Sequence, residues 1–209
     1  MISVDNVESN VIEWLKSGAD SARDIVDLPW SLKELQPGVY LAEHPRMPFS
    51  LMVAFSGDFV RLIVPLGLET LSMSTEERLK VYHTLLRLND DVHLMKFALS
   101  GMNDDVYLRA DLDKKTLGKD EFNDALAALL IGLLSAVSAL GLEKEFEDEI
   151  FDRIVGMVVE RIQRGASREE LMRFLTVKVG MPEGDAKALL TQIFNAVENS
   201  DEDVEMGYF

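Results

Sequence analysis

The side chains best suited to chemistry are few and scattered. The three histidines, His44, His83 and His93, share no i, i+4 spacing, and the chain has no cysteine. Zinc needs three or four converging nitrogen or sulfur ligands, so no metal site is expected. The absence of thiols also removes disulfides and cysteine nucleophiles. Asp111-Leu-Asp113-Lys-Lys-Thr-Leu-Gly has the opening of a calcium loop. It then places Lys115 fifth, Thr116 sixth and Phe122 twelfth, where such a loop needs an oxygen ligand, a glycine and a glutamate. A strand end followed by a polar turn is the reading it supports. The neighbouring carboxylates Asp90-Asp91 and Asp104-Asp105 sit in turn-rich sequence. Acid–base work needs carboxyls perturbed in a cleft, which adjacency does not supply. No G-x-S-x-G, G-x-x-x-x-G-K-[ST] or G-x-G-x-x-G is present, so the nucleophile elbow, the phosphate loop and the dinucleotide fingerprint are unsupported. The expectation is a non-enzymatic protein with no cofactor.

The elements that carry these residues can be read from hydrophobic pattern. At 209 residues the chain suits one large domain, or a domain with a smaller companion. It is 47% hydrophobic and 28% charged, enough for a packed core. Lys and Arg number 21 against 37 Asp and Glu, a formal charge of −16. Such a chain repels phosphate backbones and anionic lipid, so neither nucleic acid nor a membrane is an expected partner. The acidic N-terminal stretch lacks a basic segment followed by an apolar run, and a cytoplasmic location is expected.

Val4–Lys16 predicts a short helix, and Asp27–Leu35 a connector broken at Pro29. Strands are expected in Gly38–Pro45, Pro48–Phe55 and Asp58–Leu66, the last two joined by the hairpin signal Ser56-Gly57-Asp58. Ser74, with Glu77 three residues later, opens a helix that ends at Asn89-Asp90-Asp91. Two more strands follow in His93–Gly101 and Val106–Asp113. The uncharged run Ala125–Leu142 reaches the 18 residues at which a membrane span becomes conceivable. Acids flank it on both sides, and a buried helix covering the sheet is the better reading. Ala128, Gly132 and Ala136 fall at four-residue spacing and form a small-residue face. That face suits close packing within the chain, or against a helix of a second subunit.

Beyond Glu143 the sequence turns helical throughout. Phe146, Ile150, Ile154, Met157, Val158 and Ile162 fall on one helical stripe. Ser167 with Glu170 opens a second helix reaching Val179, and Pro182 opens a third to about Asn199. The last two helices have the spacing of a helix-turn-helix, but the second offers Glu183 and Asp185 where a basic reading face is needed. The domain reading is an α+β core over 1–142, a three-helix appendage over 143–199 and an acidic flexible tail over 200–209. The core is expected to be a mainly antiparallel five-stranded sheet covered by helices.

The order helix, three strands, helix, two strands, helix resembles type III secretion chaperones and YbjN-like proteins. The residues carrying the resemblance are Val81–Asn89, Met95–Leu99, Val106–Leu112 and the 120–140 helix. It covers about residues 1–142. It implies a small, acidic, often dimeric protein that holds an extended segment of a partner.

The expected function is therefore a chaperone-like interaction module, a homodimer binding an apolar segment of another protein. Met47, Phe49 and Met52, with Leu51 beside them, are the expected contact residues if they are exposed, since methionine adapts to varied surfaces. Two alternatives are a small-molecule-binding regulatory domain, with its pocket where core and appendage meet, and a structural subunit of a larger complex.

Overall fold

The computed structural model describes the backbone of residues 7–205 and the side chains of residues 7–195. The chain divides into two compact units, parted between Phe146 and Glu147. Each is described by itself.

The first unit runs α1 (Val7–Lys16), a 3-10 turn (Ile25–Asp27), β1 (Ser31–Gln36), β2 (Val39–Glu43), β3 (Leu51–Ser56), β4 (Phe59–Glu69), α2 (Thr75–Asp91), β5 (Lys96–Ser100), β6 (Asp105–Asp113) and α3 (Lys119–Leu140). The six strands form one antiparallel sheet in the order β1-β2-β3-β4-β6-β5. The fold class is α+β, as expected, with one strand more than the expected five. The additional strand is β1, which occupies part of the expected connector, and it shows why the pattern failed there. Apart from Leu32, every residue of β1 is exposed, so no alternation marks it. It lies at the sheet edge, where both faces meet water.

The other strands alternate as their sequence requires. On β3, β4 and β6 the residues Leu51, Val53, Val60, Leu62, Val64, Val106, Leu108, Ala110 and Leu112 are buried, and those between them are not. The turn from β3 to β4 uses Gly57 with φ of +54°, a left-handed conformation that the two-residue hairpin needs. A bulge between Pro65 and Leu68 interrupts the pairing of β4 with β6, at the place where proline removes a ladder donor.

All three helices of this unit lie on the buried face. The Glu8 carboxylate of α1 accepts from Tyr40 Oη at 2.8 Å. α3 buries Phe122, Ala125, Leu126, Ala128, Leu129, Gly132, Leu133, Ala136 and Val137. It is one helix of a length and composition able to cross a membrane, and here its apolar inner face is spent on the core. A Cβ added at Gly132 would come 2.5 Å from Met95 Sδ and 3.0 Å from Leu108 Cδ2. At Gly132 the small-residue face is thus met by Met95, just before β5, and by Leu108 of β6. α2 begins with the expected capping box between Ser74 and Glu77.

α4 (Glu143–Gln163) starts in the first unit, where Phe146 packs against the core, and continues into the second. The second unit adds α5 (Arg168–Arg173), a π-helical segment (Phe174–Val179) and α6 (Glu183–Glu205). Ser167 and Glu170 form the expected capping box. The helix expected to run unbroken to Val179 instead widens at Phe174. Its core holds Ile154, Val158, Leu171, Phe174, Leu175, Ala186, Leu189, Leu190 and Ile193. The guanidinium of Arg161 lies 3.7 Å from the Phe174 ring centroid and donates from Nη1 to the Met157 carbonyl at 2.9 Å. Burial pushes the Arg161 group below its ordinary value. Of the expected acidic tail, residues 206–209, and the side chains from 196 onward, lie outside the described residues.

Candidate protein-interaction surfaces

Where β5 ends the sheet, its outer backbone edge faces α2. Alternation in an antiparallel pair turns successive peptide groups inward and outward. Asn89, near the end of α2, takes the outward groups of Phe97: its Oδ1 accepts from Phe97 N–H at 2.6 Å, and its Nδ2 donates to the Phe97 carbonyl at 3.4 Å. The peptide groups of Leu99, two residues on, point the same way.

Beside this edge runs a groove of about 220 Å³, lined by Tyr82, Leu85, Leu86, Asn89, Phe97, Ala98 and Leu99. None of these side chains carries a formal charge at neutral pH. Thr70 orients the Tyr82 wall. Its hydroxyl donates to the Asp104 carbonyl at 3.0 Å, so the Tyr82 hydroxyl, 2.7 Å away, must donate to it. Around the groove the large exposed apolar side chains include Leu79 at 69%, Leu86 at 68% and Leu99 at 41% exposure. Leu79 and Leu86 lie two turns apart on the same face of α2.

The second surface is the sheet face away from α1, α2 and α3. Pairing register aligns Lys33, Leu41, Met52, Ile63, Arg109 and Lys96 in one line across all six strands. Next to that line Asp111 gathers three cations: Arg61 Nε at 3.1 Å, Arg109 Nη2 at 2.7 Å and Lys96 Nζ at 2.8 Å. Burial pushes the Asp111 carboxyl up, but hydrogen bonds from Lys96 and Arg109 outweigh it and hold the group below its ordinary value. The same hydrogen bond raises Arg109.

The expected contact residues do not share a surface. Met47 and Phe49 are 9% and 5% exposed and belong to the first core, so the expectation that they are exposed does not hold. The cause lies between β2 and β3: His44–Phe49 folds inward, with Trp30 ring centroids 6.1 Å from His44 and 6.3 Å from Phe49. Leu51 is fully buried, and Met52 alone reaches the open face, half-buried. Ala128, Gly132 and Ala136 share one face, as expected, and it is buried. His44 is buried and its Nδ1 accepts from Arg46 N–H at 3.2 Å, whereas His83 and His93 are exposed. Among the described residues no group of three or more His, Asp or Glu is placed to hold a metal ion. The groove and the six-strand line could not be found from sequence, because both depend on register between elements.

A family model described as "Domain of unknown function (DUF8183)" matches residues 10–140. The chain belongs to this family. A second model, HTH_78, also described as a domain of unknown function, matches residues 141–208. No curated protein matches the chain. Among solved structures, a chain of the heterodimeric complex ExoU-SpcU from the type III secretion system of Pseudomonas aeruginosa is similar at a TM-score of 0.38 and 20% identity. The match covers 52% of this chain and 82% of that one.

Proposed function

We propose that the chain is a non-enzymatic, chaperone-like interaction module of the cytoplasm, and that its α2–β5 groove receives the apolar side chains of a segment from another polypeptide. The carrying observation is that an uncharged apolar groove runs beside the terminal strand β5, whose outer edge Asn89 occupies at Phe97 and leaves open beyond it. An added strand gains backbone hydrogen bonds at the edge and buries alternate side chains in the groove. A second copy of the chain supplies such a segment most simply, which gives a homodimer. The groove itself suits side chains of a segment better than a small molecule: about 220 Å³ is below the roughly 300–1,000 Å³ usual for ligand sites.

The test is light scattering and hydrophobic-dye binding on the wild type and on Leu86→Asp. The expected result is a mass of twice 23.5 kDa, reduced to the monomer by the substitution with no change in melting temperature. Should the wild type be a monomer, the groove must instead bind dye, and Leu86→Asp must abolish that binding. A monomer whose dye binding ignores the substitution ends this reading.

A further inference from the structure

The open sheet face carries an arrangement that the groove does not explain. Its central line places three apolar side chains, Leu41, Met52 and Ile63, on neighbouring strands. All three are half-buried, and none joins the core cluster. Cations stand at both ends, Lys33 beyond Leu41, and Arg109 then Lys96 beyond Ile63. In a chain of formal charge −16, the line itself carries Lys33, Arg109 and Lys96 and no carboxylate; Asp111 beside it is shared by Arg61, Arg109 and Lys96, while Glu43 and Asp113 stand farther along the same face.

The spacing selects the occupant. Adjacent strands lie about 4.8 Å apart, so the apolar trio spans about 10 Å. A helix presents residues i, i+3 or i+4, and i+7 over about 10.5 Å. An extended strand would space its same-side residues by about 6.8 Å and fall out of step. The flanking cations then face positions one turn before and one turn after the apolar triplet. We infer that this face docks an amphipathic helix of a partner protein, with three apolar residues on one stripe and acidic residues one turn to either side. Rim charges select among partners more than they add affinity, so the acidic flanks set which helix fits and Met52 and Ile63 provide the apolar contact.

The experiment uses the full chain with methyl-labelled methionine and two synthetic helical peptides. Both carry Leu at i, i+4 and i+7; one has Glu at i−3 and i+11, the other Lys there. The Glu peptide is expected to shift the Met52 methyl resonance and to bind about tenfold more tightly than the Lys peptide, a difference of about 1.4 kcal/mol spread over several rim pairs. Lys96→Glu, at a side chain 53% exposed, should erase that preference, and Ile63→Glu should abolish binding of both. Leu86→Asp, which acts at the separate groove and on any pairing made there, should leave the preference for the Glu peptide in place. An unmoved Met52 methyl, equal affinity for the two peptides, or a preference that survives Lys96→Glu overturns the inference. So does a dimer that Ile63→Glu dissociates, because a second copy would then cover the face.

Discussion

Asn89 holds Phe97 by both of its backbone groups, the amide through Oδ1 at 2.6 Å and the carbonyl through Nδ2 at 3.4 Å. One side chain thus stands in for a neighbouring strand at that position. It ties the end of α2 to the sheet edge and leaves only the rest of the edge open to a partner.

Replacing Asn89 with Ala should cost about 1–3 kcal/mol, the penalty for stranding a half-buried amide and carbonyl. Asn89→Asp keeps the acceptor for Phe97 N–H and should lose less. Urea unfolding measures the loss. Hydrogen exchange at the Phe97 amide should accelerate in the Ala variant; an unchanged exchange rate would show that the bond does not protect the edge.

Two glycines should respond differently to the same methyl group. At Gly132 the new Cβ meets the flexible end of Met95, and Ala gains about 1 kcal/mol of helix propensity, so Gly132→Ala should be close to neutral. Gly132→Leu overfills the contact and should lose roughly 1–3 kcal/mol. At Gly18 the added atom runs into the Asp27 carbonyl, which is backbone and also accepts from Ala19 N–H at 2.8 Å. Gly18→Ala should therefore destabilise more than Gly132→Ala. Melting temperatures of the three variants decide the order.

Asp111 makes stability depend on acid. Its native carboxyl is held below the ordinary value, whereas the unfolded side chain titrates near pH 3.9 (roughly). Its contribution is therefore present above the unfolded value and is lost as pH falls through the native one. Asp111→Asn should cost about 1 kcal/mol at neutral pH, discounted for the solvent around Arg61 and Lys96. The difference between variant and wild type should shrink toward acid; a gap that stays constant with pH would remove the charge from the explanation.

Tyr40 should mark the alkaline side. Its hydrogen bond to Glu8, aided by burial and by the Glu8 and Glu34 charges, pushes the phenol up to about 12. An unfolded tyrosine titrates near 10 (about), so this contribution is complete below that value and fades as pH rises through the native one. Ultraviolet titration of wild type minus Tyr40→Phe should show one phenol ionising near the raised value. An ionisation at the ordinary value would mean that the link between α1 and β2 is not made in solution.

What the sequence discloses follows the range of the interactions involved. Both capping boxes were legible, because Ser74 with Glu77 and Ser167 with Glu170 act over three residues. The β3–β4 hairpin was legible through its turn chemistry. Strand β1 was not, since its exposed Lys33, Glu34, Leu35 and Gln36 carry no alternation. Residue type misled at Met47 and Phe49, because an apolar residue near a proline reads the same whether it turns inward or outward. The groove joins Tyr82 to Leu99 across a helix, a turn and a strand. The open-face line joins Lys33 to Lys96 through five register pairings. Neither has a local signature.

The two ends of the sheet are finished differently. The β1 end carries Lys33, Glu34 and Gln36, is bulged between Glu34 and Gln36, and is followed by Pro37, all features that discourage strand addition. The β5 end offers Leu99 and an apolar groove. A protein sticky at both ends could stack front to back without limit. With one end blunted, addition through the β5 edge would stop after a single step, which limits the proposed docking to one pair or one guest rather than an open-ended stack.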